Sequence, residues 1–322
     1  MKIPDHSVSA LMKYGYTERE SQFLYVVATF SGNFLRRQFS EFAGAARGGT
    51  DHDFLQKAIR NRHVREIPYK RSSYRRYHLC ARSIYGAIDK EHSSNRKESS
   101  DTRTILKLKI LDFILDNFSE DYLEEEADKT HFFAEQRNIS GDLLPAKIYE
   151  NSQGTQATVR YFVDKFPLFV SNDSETAAIP VFTYFEDEYE RVTSFAAHLN
   201  WYKPLLHAMN GQYKFIYVAD SPNNFNRAEK QFQAVLSSPY HKMYSPALLT
   251  YFRLRKLWEE KKLSQLSDKD LADLNRAEKK FSRPEHEKLY QQWTSGDPLL
   301  PLSTSAPDST EPGMFETYLL SA

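Results

Sequence analysis

The sequence predicts an α+β fold in two parts: a helical amino-terminal module closed by a β-hairpin, then a larger mixed α/β unit with a helical extension. Three observations predict it. Short capped helices precede two β-prone runs before residue 89. A stretch without one apolar residue, 89–103 (DKEHSSNRKESSDTR), follows them. Beyond it, strand-like runs and amphipathic helices alternate.

In chain order, Thr17 starts the first clear helix: Glu20 stands three residues on, as in a capping box, and Phe23, Leu24, Val26, Val27 and Phe30 form the apolar face. Ser31-Gly32 ends it. A second helix is expected over Phe34–Phe42 with Leu35, Phe39 and Phe42 inward. Thr50 starts a third, with Asp51 and Asp53 in its first turn and Phe54, Leu55, Ala58 and Ile59 apolar. HVREIPY and YRRYHL then read as paired strands. Three short helices and a hairpin, over 15–88, is the order of a winged helix-turn-helix, in which the third helix enters the major groove and the wing lies on the backbone.

After the 89–103 linker, a helix resumes at Ile105 and another is expected from Ser119 to about Gln136. Its acids Glu124, Glu125, Glu126 and Asp128 read as a solvated face. PAKIYE, TQATVRYFV with FPLFVS, and IPVFTYFEDE read as three strands, with a hairpin turn at Asn151-Ser152-Gln153-Gly154. A helix over Tyr189–Met209, a buried strand over Tyr213–Ala219 and a helix over Phe225–Leu236 complete an α/β domain at 104–238. Residues 239–294 read as a helical extension, with Ser245-Pro246 and Ser267 as helix starts, and 295–322 as a disordered, Pro/Ser/Thr-rich tail.

Composition narrows the function classes. Of 322 residues 40% are hydrophobic, with 22 Phe and 20 Tyr, which excludes wholesale disorder. The net charge is zero, yet residues 1–103 hold 19 Lys and Arg against 11 Asp and Glu, and the remainder 24 against 32. That asymmetry predicts a nucleic-acid-facing amino-terminal part. One cysteine, Cys80, excludes a disulfide framework and a cysteine zinc site. No apolar run approaches the ~20 residues of a membrane span and no secretory pattern is evident, so no membrane partner and a cytoplasmic location are expected.

Lys57, Arg60, Arg62, Arg65, Lys70, Arg71, Arg75 and Arg76 cluster around a single acid, Glu66, on the third helix and the hairpin. Such a concentration attracts a phosphate backbone through counterion release, so these eight are the candidate contacts to double-stranded DNA.

The α-β-β-β-α-β order from Glu120 resembles the restriction-endonuclease-like core of the PD-(D/E)XK nuclease superfamily. Paired with an amino-terminal winged helix, over about residues 15–236, it resembles the replication-relaxation proteins of mobile elements. The resemblance implies replication, transfer or regulation of a mobile element as the setting. It also implies Asp164 and Glu186 as the candidate carboxylates of a Mg²⁺ site. The lysine expected two residues beyond the glutamate is replaced by Glu188, leaving Lys203 as a migrated candidate. The expectation is therefore a DNA-binding protein with a non-catalytic second domain, no metal and no cofactor. The C-terminal domain is the candidate surface for a protein partner. The alternatives are a Mg²⁺-dependent nuclease, with Mg²⁺ its one cofactor, and an interaction module that does not bind DNA. GxxxxGK[ST], GxGxxG, GxSxG and HExxH are all absent, and His198 and His207, nine apart on one helix, do not suit a common ion.

Overall fold

Local signals begin the chain's helices and distant contacts orient them. The computed structural model describes residues 1–44, 49–69, 71–150, 157–164, 166–171, 178–186, 192–238, 246–282, 284–295 and 312–320. Among these, twelve α-helices and several sheets make a mixed α+β fold. No helix among the described residues is long and apolar enough to cross a membrane.

Helix α1 (Asp5–Met12) precedes α2 (Glu18–Val26). The capping box forms as expected: Thr17 N donates to Glu20 Oε2 at 2.7 Å, and Glu20 N to Thr17 Oγ1 at 3.3 Å. A π-helical turn, Val27–Ser31, ends at Gly32 with φ 71°. The expected helix at Phe34 instead begins with a strand, β1 (Asn33–Phe34), and α3 runs Arg36–Ala43. Helix α4 (Thr50–Arg60) leads into β2 (Val64–Tyr69) and β3 (Arg71–Leu79), and α5 (Arg82–Ala87) follows. The three strands form a sheet in the order β1-β3-β2, all antiparallel. Phe23, Phe34, Phe39 and Phe54 meet in its core, the last two stacked at 4.0 Å between ring centroids.

The 89–103 segment, expected as a linker, is packed against this module. Asn95 is buried and its Nδ2 donates to the carbonyls of Ala28 (3.2 Å) and Thr29 (2.8 Å). Helix α6 (Asp101–Asp116) then joins both halves. Gln38 Nε2 donates to Asp112 Oδ1, and Arg37 makes a paired contact to the same carboxylate at 2.9 and 2.7 Å. The other side of α6 packs Phe113 on Phe169 and Phe185, so one hydrophobic cluster runs from Leu11 to Leu320.

The helix expected over Ser119–Gln136 is divided. Strand β4 (Asp121–Tyr122) comes first, and α7 (Glu126–His131) starts only at the Glu125–Asp128 capping box. Tyr122 packs between Phe30 and Phe169, and this tertiary packing overrides the local helical signal. Strands β5 (Ala146–Glu150) and β6 (Ala157–Tyr161) pair as a separate hairpin; its 151–154 turn lies outside the described residues. Strand β7 (Leu168–Ser171), β8 (Ile179–Phe185), helix α8 (Val192–Ala208), β9 (Lys214–Ala219) and α9 (Phe225–Leu236) follow. Helices α10 (Pro246–Glu259), α11 (Asp268–Phe281) and α12 (Pro284–Ser295) build a separate cluster around Phe252 and Trp293.

The expected disordered tail contains a strand, β10 (Met314–Leu319). It completes a five-stranded sheet, β10-β9-β8-β7-β4, by pairing parallel with β9. Phe315 packs on Phe232 and Phe195, and Tyr318 OH donates to Asp116 Oδ2 at 2.9 Å. Those apolar and polar contacts offset the ordering cost that the composition of 295–322 had weighed against a strand.

Candidate nucleic-acid interface

The α4 sequence sets its own orientation. Phe54, Leu55 and Ala58 are buried, which leaves His52, Asp53, Gln56 and Arg60 exposed on the opposite face. Asp51 fixes the rotation: Arg36 Nε and Nη2 donate to its two oxygens at 2.7 and 3.1 Å, with Ser40 Oγ at 3.0 Å. The Arg36 hydrogen bonds hold the Asp51 carboxyl down to about 2. α4 ends at Asn61, and Arg62 adopts φ 57°. His63 turns inward to hydrogen-bond with Tyr16 OH at 2.8 Å, and burial lowers its pKa.

The hairpin's two faces are both occupied. Val64, Tyr77 and Leu79 share the face on the helical core, where Tyr77 stacks on Phe34. His78 and Arg76 lie on the other, beneath the 93–104 segment. Arg76 Nη1 donates to Thr104 Oγ1 at 2.7 Å, Nη2 lies 3.4 Å from Asp101 and 3.8 Å from Glu98, and the residue is only 4% exposed. His78 Nε2 bonds with the Arg96 carbonyl at 3.1 Å.

The eight basic candidates therefore divide. Arg76 is buried and Lys57 half-buried, and both are held by partners within the chain, which takes them out of the expected set of DNA contacts. Strand alternation turns Arg76 inward, and Lys57 faces α2, with Nζ 2.6 Å from Glu20 Oε2 and 3.0 Å from the Gly15 carbonyl. Arg75 is exposed and ion-paired with Glu66 at 2.9 Å. Arg60, Arg62 and Arg65 are exposed, and their side chains make no ion pair or hydrogen bond among the described residues. Lys70 lies outside the described residues, as does the Arg71 side chain.

The second domain does not gather its three candidates. Asp164 Oδ2 accepts from Tyr202 OH at 2.7 Å, with His198 Nδ1 3.7 Å away. Burial pushes His198 down to about 4 and Tyr202 far up. Glu186, at the carboxyl end of β8, accepts instead from Asn224 Nδ2 and bonds with Tyr217. Lys203 is buried against Ser238 Oγ at 2.6 Å, and burial lowers its pKa. The three share no partner, and no group of three or more His, Cys, Asp or Glu among the described residues could hold a metal ion. Glu188 lies outside the described residues.

Sequence reasoning missed Lys109 and Asp220. Lys109 Nζ reaches from α6 to Asp220 Oδ2 at 2.6 Å and to the Glu186 carbonyl at 3.2 Å, bridging the carboxyl ends of β8 and β9. The available signal was Asp220 itself, the first polar residue after a buried parallel strand. The expected solvated acids are also corrected. Lys90 pairs with Glu124 at 3.0 Å and Glu125 at 3.2 Å, and Arg160 with Glu126 at 2.6 Å. These pairs line a cleft of about 1210 Å³ that also includes Asn95 and Tyr149.

No family model, curated protein or solved structure matches the chain.

Proposed function

We propose that the protein binds duplex DNA through the outer face of α4 and the start of β2, with the second domain as a non-catalytic scaffold. One observation carries the reading: Arg60, Arg62 and Arg65 are exposed and unpaired at the end of α4 and the start of β2. Internal ion pairs neutralise much of the other charge there, whereas these three remain available to displace counterions from a phosphate backbone. The connectivity α2-β1-α3-α4-β2-β3 with sheet order β1-β3-β2 agrees with a winged helix-turn-helix, and Gln56 and Arg60 then stand where base edges would be reached. The connectivity α6-β4-β7-β8-α8-β9, with β5 and β6 as an inserted hairpin, is compatible with a restriction-endonuclease-like core. The separate partners of Asp164, Glu186 and Lys203 favour a scaffold over a nuclease. Replication or transfer of a mobile element is the setting this pairing suggests.

Fluorescence anisotropy of a labelled duplex across a salt series tests the reading. Binding should weaken with salt. Arg60→Glu with Arg62→Glu should lower affinity roughly tenfold or more and flatten the salt slope by about 0.9 for each phosphate no longer neutralised. No measurable binding at low salt overturns it.

A further inference from the structure

β10 is an edge strand whose outer side pairs with no other strand among the described residues. Met314 N donates to Tyr213 O and Leu320 N to Ala219 O, both at 3.0 Å. In a parallel ladder this parity turns the backbone groups of 314, 316 and 318 toward β9 and those of Phe315, Thr317 and Leu319 outward. The usual edge protection is missing. Residues 314–319 contain no Pro or Lys, and their one charge, Glu316, is ion-paired with Lys214 at 2.7 Å. Two large apolar side chains on the strand remain exposed, Met314 at 61% and Leu319 at 51%.

We infer that β10 pairs antiparallel with β10 of a second copy about a two-fold axis at Thr317, joining the two five-stranded sheets into one. A two-fold axis perpendicular to the sheet keeps each face continuous, so only residues of like parity can stand opposite one another. With Thr317 on the axis, all three outward-facing residues enter hydrogen-bonded pairs: Thr317 with its own copy, and Phe315 with Leu319 in both directions. Exposed Leu319 gains an aromatic neighbour, the threonines form a favourable cross-strand pair, and Met314 comes beside Leu320 of the second copy. Centring the axis on Glu316 would oppose two carboxylates and set Leu319 against Gly313, which offers it no side chain, so the Thr317 register is favoured over its neighbour. The inference does not depend on DNA binding.

Light scattering after size exclusion should give the full chain a two-chain mass at micromolar concentration. Thr317→Pro deletes an outward N–H and none that faces β9, so it should give a single-chain mass with unchanged circular dichroism. Thr317→Cys in a Cys80→Ser background should form a disulfide-linked pair on mild oxidation, because the residue meets itself. A single-chain mass for the parent, a Thr317→Pro dimer as tight as the parent, or no cross-link through Cys at 317 overturns the inference. The cross-link keeps the test decisive should the proline variant not fold.

Discussion

His78 and His198 are each held down to about 4 by burial, against an ordinary value of 6.5. The native state therefore resists a proton that the unfolded chain accepts. This stability is complete above pH 6.5 and is lost as pH falls toward 4, at up to about 1.4 kcal/mol per pH unit for each histidine. The thermal midpoint should fall between those values, and His78→Gln should shallow the fall; an unchanged slope would refute the assignment to His78. Arg76 and Arg62 separate stability from binding at the same scale. Arg76→Ala removes a buried cation that serves Thr104 and Asp101, and should cost about 1–3 kcal/mol in chemical denaturation. Arg62→Glu should leave stability within about 0.5 kcal/mol. The charge cluster itself was legible in the sequence. Its division was not, because Arg76 meets its partners 25 and 28 residues later and Lys57 its own 37 residues earlier.

Elements were legible where their determinants are local. The Thr17–Glu20 box lies within one turn and formed where read, and Thr17→Ala should lower stability by about 1 kcal/mol. Short strands were not legible, since β1 and β4 are two residues each and exist only through pairing with β3 and β7. Gly32 shows the same dependence. Its φ of 71° and its approach to Asn95 leave no room for a Cβ, which would overlap the Asn95 carbonyl. Gly32→Ala should therefore destabilise by about 1–3 kcal/mol and loosen the 93–104 segment, seen as faster amide exchange at His78 and Arg76.

At the scale of the whole molecule, α6 packs the two larger parts into one hydrophobic cluster. Phe113 and Ile114 share a cluster with Phe23 and Phe54 on one side and Phe185 and Val218 on the other. A fragment of residues 1–100 should fail to give a cooperative thermal transition, and calorimetry of the full chain should show one main transition for this unit. The α10–α12 cluster, closed by Arg255–Glu287 and Tyr290–Glu259, has its own core and should melt as a separate, smaller step. β10 also constrains the order of assembly during synthesis. Tyr318 reaches Asp116 across 202 residues, and Leu320 enters a cluster founded by Leu11. Until residue 320 has emerged from the ribosome, the outer side of β9 and the rings of Phe195 and Phe232 lack their cover. The nascent chain passes through an interval in which its sheet can be capped by any extended segment nearby, including that of a neighbouring ribosome's product.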